Sequence, residues 1–321
     1  MQIKYHSILS RIFFAKLIAA GLVLLLSLLI MPFYTDGDQG VYRKVYKALP
    51  DLGLTEGFLL YSVTLTSKEV VPFFLYWVAS RFVDKDLFIA FLNAILAYAI
   101  MSLFQKWRVS VTIAFLLLLT NFYFLVLYFA AERLKFGFIF LALSLIYIDH
   151  VKRFFGFATL ALISHVQIII VYVSMLFNFI VMQINKLFRT GKVSKKLLLV
   201  VPFLFIPLLL AENQVISKFQ SYYSERTLTE LAKIFAFLLL ALWYSKKKME
   251  TFIVFIPMVI IVYMVGGERV NMLGYFTFLY YGMQYKRGWN MGVMATSAYY
   301  AYTSIDFVIN IVKHGNGFFI G

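Results

Sequence analysis

Apolar residues in this chain come in long runs, each broken by a few polar or basic positions. The runs cover Ile12 to Phe33, Leu87 to Phe104, Val111 to Ala131, Leu134 to Ile148, Phe154 to Met182, Leu197 to Leu210, Leu231 to Trp243, Thr251 to Val265, Asn271 to Gln284 and a last stretch within Gly288 to Ile311. Backbone in hydrocarbon must satisfy its own hydrogen bonds, so runs of this kind read as membrane helices. Stretches such as Phe115 to Leu119 do not alternate as barrel strands must. The pattern predicts an all-α polytopic membrane protein of about eleven crossings, within about 10–12. Residues 1–321 read as a single integral membrane domain, with external loops over 34–68 and 211–230. Two segments break the rhythm. Val70 to Phe82 is short and flanked by charge, which predicts a half-embedded helix near 70–82. Phe154 to Met182 is apolar throughout yet basic at both ends, which predicts a helical hairpin over 154–182 with its apex near Ser164-His165-Val166-Gln167.

Charge fixes the orientation. Lys and Arg gather in Lys4 with Arg11, Lys106 with Arg108, Lys152 with Arg153, Lys186 to Lys196, Lys246-Lys247-Lys248 and Lys286-Arg287. Only Asp149 and Glu250 accompany them among the 15 acids, so these short loops are expected on the cytoplasmic side. The first helix then runs outward and is retained rather than cleaved, and the last leaves the C-terminus outside. The net charge of +15 follows from that topology and calls for no nucleic acid. Charged residues are 14% of the chain against about 25% in soluble domains, and the mean hydropathy is +0.84. Without cysteine there is no disulfide, thiolate nucleophile or thiolate metal site, and no other metal-ligand spacing stands out.

The chemistry is expected at the external face. Ala130-Ala131-Glu132-Arg133-Leu134 is echoed by Gly266-Gly267-Glu268-Arg269-Val270. Placing an arginine in hydrocarbon costs at least about 2.5 kcal/mol, so such residues are functional candidates. A guanidinium fork suits a phosphorylated anion, and the small residues before it would let a ligand approach the backbone. The competing reading pairs each Glu-Arg with the other. Arg133, Arg269 and Arg43 are therefore candidate anion binders; His165, Glu132, Glu268 and Asp36 are candidate acid–base groups, and Asp38 shares the turn with Asp36. His165 reads equally as a buried histidine bonded to a neighbouring helix, and Asp36 and Asp38 as a solvated turn.

In order along the chain stand Asp36-Gly37-Asp38 and Tyr42, the segment Glu69 to Phe73, Asn93, Ala131-Glu132-Arg133-Leu134-Lys135-Phe136, Ser164-His165 and Glu268-Arg269-Val270-Asn271-Met272. This series resembles the EpsG-like branch of the Wzy-type polysaccharide polymerases. The resemblance implies a GT-C-like, multi-pass glycosyltransferase of the bacterial inner membrane with its active site facing the periplasm. Its substrates would be undecaprenyl-pyrophosphate-linked oligosaccharides. The growing glycan would pass from its carrier to the non-reducing end of a lipid-linked repeat unit, without metal or cofactor. A flippase and a chain-length regulator are the partners it implies. Arg133 and Arg269 would hold the pyrophosphate as leaving group. In this chain Glu69-Val70-Val71-Pro72 stands where the family has an acidic residue directly before proline. A flippase or transporter of lipid-linked sugars, or a related ligase or acyltransferase, is the alternative.

Overall fold

The computed structural model describes the backbone of residues 2–191 and 228–319, and their side chains apart from those of 2–12, Val265 and Glu268. The described residues are all-helical, without strands. Met1–His165 with Met294–Gly321 form one compact unit and Val166–Val293 a second.

The first unit opens with α1 (Gln2–Ile30), continued to Phe33 by a 3-10 turn. Residues 34–68, expected as loop, fold into α2 (Asp38–Ala48) and α3 (Leu54–Thr64). The reason is local: Tyr42, Val45, Tyr46 and Leu49 recur at helical spacing and bury one face, although the stretch is too polar to resemble a membrane run. α4 (Val70–Ala79) is the short apolar helix expected near 70–82. α5 (Lys85–Lys106) starts where Asp84 caps it, accepting from the Asp86 and Leu87 amides at 2.8 and 3.3 Å.

The expected crossing over Val111 to Ala131 is two helices, α6 (Val111–Thr120) and α7 (Phe122–Phe129), bent by 54°. Asn121 makes the break. Its backbone is extended (ψ 128°), and its side chain caps α7 by accepting from the Tyr123 amide at 3.1 Å. α8 (Glu132–Ile146) packs against α5 and against α9 (Val151–Ser164). α9 ends at His165, whose backbone is extended (φ −159°, ψ 118°).

In the second unit α10 (Ile169–Thr190) runs beyond the arm expected to end near Met182. It carries Lys186 and Arg189 within the helix and stops only where Gly191 takes a left-handed conformation (φ 66°). α11 (Leu228–Tyr244), α12 (Lys248–Val265, with Pro257 inside) and α13 (Glu268–Gln284) follow, with α11 packed on both others. α14 (Met291–His314) joins the first unit from Met294 onward. There Ser304 Oγ donates to the Thr120 carbonyl at 2.7 Å, occupying an acceptor released by the break at Asn121. The crossing expected over Leu197 to Leu210 and most of the 211–230 loop lie outside the described residues.

Among the described residues Phe13–Phe33, Lys85–Lys106 and Val166–Thr190 are long and apolar enough to cross a membrane, and the bent α6–α7 pair makes four if it is one span. These helices mark a membrane protein.

Candidate functional site

In the first unit the chemistry gathers where α7 gives way to α8. The last turn of α7 leaves carbonyls without helical partners, and side chains from three other elements take them up. Lys135 Nζ donates to the Tyr128 carbonyl at 2.9 Å and Asn93 Nδ2 to the same oxygen at 3.0 Å; Gln39 Nε2 donates to that of Phe129. The Ala130-Ala131 turn is tight because both amides donate to the Val126 carbonyl. α8 then begins with Glu132, a carboxylate at a helix N-terminus, where the dipole favours it.

Glu132 and Arg133 have separate partners. Glu132 is fully buried and accepts from Lys85 Nζ at 2.7 Å and from the Tyr76 hydroxyl. Lys85 also donates to Gln39 Oε1 at 2.7 Å, which ties α2, α5 and α8 together. Arg133 turns to another carboxylate, with Nη1 3.3 Å from Glu69 Oε2. It also donates from Nε to the Tyr42 hydroxyl at 3.2 Å and from Nη1 to the Leu65 carbonyl at 3.3 Å. Among the described residues its Nη2 has no partner, and 15% of the side chain is exposed.

Glu69 joins the cluster to His165. Its Oε2 accepts from Ser67 Oγ at 2.7 Å, and its Oε1 lies 3.6 Å from His165 Nε2. His165 is buried and extended in backbone, held by the break after α9. Glu69 is thus a carboxylate shared by a guanidinium and an imidazole, delivered by the residue before α4. Tyr61 and Tyr76 wall the cluster beside Tyr42, with ring centroids 6.3 Å apart for Tyr61–Tyr76 and 6.5 Å for Tyr42–Tyr76. Burial pushes the Tyr42 phenol up to about 12 against the pull of the Arg133 guanidinium, so it stays a neutral hydroxyl at Arg133 Nε.

Lys85 and Arg133 thus meet one carboxylate each, Glu132 and Glu69, while Lys135 is spent on the Tyr128 carbonyl. The donor the cluster leaves for an added anion is Arg133 Nη2. Among the described residues no group of three His, Asp or Glu gathers as for a metal ion.

The other candidates fall elsewhere. Asp36 is exposed; its amide and that of Thr35 both donate to the Gly315 carbonyl, which fixes the turn after α1. Arg43 donates to the Met31 and Tyr34 carbonyls at 2.7 and 3.2 Å and pairs with Asp86 at 2.7 Å, so its guanidinium fastens α2 to the end of α1 and the start of α5. The second Glu-Arg belongs to the other unit, and the Glu268 side chain lies outside the described residues. Arg269 is half-buried and has no hydrogen-bond or ion-pair partner among the described residues. The open backbone expected at Gly266-Gly267 is filled from within the protein. A Cβ at Gly267 would lie 2.4 Å from Glu230 Cβ, and Asn271 Nδ2 donates to the Glu230 carboxylate.

Glu69, Lys85 and Tyr42 were not singled out as site residues by sequence. For Glu69 and Lys85 the available signal is the one Glu132 also gives: a charge at the mouth of an apolar run. The chain matches no protein-family model, no curated protein and no solved structure.

Proposed function

We propose that this protein is a membrane glycosyltransferase of the lipid-linked oligosaccharide polymerase type. It would transfer a growing glycan from undecaprenyl pyrophosphate to a lipid-linked repeat unit. The observation that carries the reading is one buried carboxylate, Glu69, held between Arg133 and His165 in a membrane protein, with Arg133 Nη2 left unengaged. A guanidinium with two spare N–H groups can take diphosphate oxygens, and fixed cations facing a departing anion lower the barrier to its release.

The reaction then balances as follows. The acceptor hydroxyl oxygen attacks the anomeric carbon while the bond from that carbon to the pyrophosphate oxygen breaks. The pyrophosphate leaves on its lipid toward Arg133, and the hydroxyl proton passes to His165, whose imidazolium Glu69 stabilises. Glu132, already engaged by Lys85 and Tyr76, holds the site together instead of acting as the base. The finer architecture belongs to the same proposal. It comprises about eleven crossings, a GT-C-like arrangement, residence in the bacterial inner membrane and a site facing the periplasm. The break at Asn121 favours one competitor, a transporter of lipid-linked sugars, because broken helices line many transport paths.

The test is polymer length in cells. Arg133→Ala is expected to remove long-chain polysaccharide while the protein is still made, and Arg133→Lys to restore only a part, because an ammonium lacks the fork. Normal chain length in Arg133→Ala cells with normal protein levels would show the reading to be wrong.

A further inference from the structure

The second unit gathers cations at a corner that takes no part in the proposed chemistry. α11 ends at Tyr244, and Lys246, Lys247 and Lys248 lead from it into α12. α13 ends at Gln284, and Lys286 and Arg287 follow Tyr285. The two turns lie side by side. The rings of Tyr244 and Tyr285 are 5.6 Å apart between centroids, and the Tyr244 hydroxyl accepts from the Gly292 amide at 2.8 Å. All five cations are exposed. Glu250 is the one acid within residues 243–250 and 284–292, and Lys247 Nζ holds it at 3.0 Å.

Positive charge in a short loop of a membrane protein is ordinary. The backbone of this one is not. Lys286 and Arg287 both take left-handed conformations (φ 47° and 58°), which a Cβ disfavours, and Gly288 follows at 91°. The turn is held from behind. Asn290 Nδ2 donates to the Gly282 carbonyl at 2.8 Å and to that of Tyr285 at 3.3 Å, and Asn290 Oδ1 accepts from the Val293 amide at 3.0 Å. Asn290 and Gly288 are buried, so Lys286 and Arg287 stand outward on a fixed base. Backbone strain of this kind persists where the surroundings over-determine it, and it gathers at ligand sites. Large apolar side chains flank the cations. Trp243 is 80% exposed and Met291 83%, and Trp289 and Met249 are exposed as well. Exposed tryptophan beside lysine suits the headgroup level of a bilayer. Charge complementarity selects an anion here, and the apolar rim selects one that carries acyl chains. Two adjoining basic turns match two phosphates better than one.

We propose that the turns 244–250 and 285–291 bind a phospholipid whose headgroup carries two phosphates, of the diphosphatidylglycerol type. One phosphate meets Lys246 and Lys248, the other Lys286 and Arg287. Such a site would anchor the second unit whatever reaction the first unit performs.

The full chain in detergent micelles would be titrated with tetraoleoyl diphosphatidylglycerol, and the bound lipid counted by native mass spectrometry. Binding is expected to be at least about tenfold tighter than that of dioleoyl phosphatidylglycerol at equal phosphate, and to weaken with salt. Lys286→Gln with Arg287→Gln should lower it at least about tenfold with Tm unchanged. Lys246→Gln with Lys248→Gln, which leaves the left-handed turn intact, should lower it by a similar factor and serves alone should the first variant not fold. Lys152→Gln with Arg153→Gln, which removes an exposed basic pair of the first unit, should leave it unchanged. Equal losses from this control pair and from the turn pairs, or phosphatidylglycerol binding as tightly per phosphate, would overturn the inference and mark an ordinary basic surface. Displacement of the lipid by an equal concentration of inorganic pyrophosphate would overturn it too, because a free anion would then suffice.

Discussion

At the scale of single residues, the chemistry turns on which carboxylate each cation meets. Arg133 and Glu132 are neighbours in sequence, yet Arg133 pairs with Glu69 and Glu132 with Lys85. Successive helical residues point in directions about 100° apart, so each reaches a different neighbouring element. Removing one member of a buried pair strands the other, at about 3–5 kcal/mol. Tyr42 yields a prediction in pH. Its folded-state value is raised from 10.0 to about 12, so the folded protein holds this proton longer than the unfolded chain does. Its contribution is fully present below pH 10 and is lost as pH rises through about 12. Thermal unfolding in detergent should therefore be flat in this respect below pH 10 and fall above it. Tyr42→Phe should flatten part of that alkaline fall, and an unchanged alkaline limb in Tyr42→Phe would count against the assignment. The presence of Arg133 and His165 was legible in the sequence because each interrupts or borders an apolar run. Their common partner was not, because Glu69 lies 64 residues from Arg133 and no local pattern encodes that meeting.

At the scale of elements, the apolar runs located most helices and the polar interruptions located their ends. The break at Ser164-His165 was legible for this reason, and so was the short helix at Val70–Ala79. Two features were not. The bend at Asn121 is made by one residue whose side chain replaces a backbone bond, inside a run whose other polar side chains are only threonine and tyrosine hydroxyls. α2 and α3 bury a narrow apolar face, and a search for continuous membrane runs passes over them. Gly267 shows the same gap between type and context. A small residue before Glu-Arg suggests room for a ligand, whereas Glu230 fills the space. Gly267→Ala should accordingly destabilise by about 1–3 kcal/mol through overpacking. The loss would appear as a lower Tm in detergent. A Tm equal to that of the parent would mean that α11 and α13 do not approach this closely.

For the whole molecule, the two Glu-Arg copies are divided between two compact units, one copy to each. The first unit embeds its copy in a network of buried ion pairs, Lys85 with Glu132 and Arg133 with Glu69. The second leaves its arginine without a hydrogen-bond or ion-pair partner among the described residues. Composition and hydropathy were enough to recognise a helical membrane protein. They could not distinguish a catalyst from a carrier, since both kinds place cations at the edge of apolar helices. The direct test is the purified protein in nanodiscs, given a single lipid-linked oligosaccharide repeat unit and no nucleotide sugar. The account predicts a ladder of products, each longer by one unit, with release of the free lipid pyrophosphate and at least a hundredfold loss in Arg133→Ala. The account would be contradicted by a protein that moves the lipid-linked unit across the bilayer and forms no new glycosidic bond, or by an undiminished ladder from Arg133→Ala.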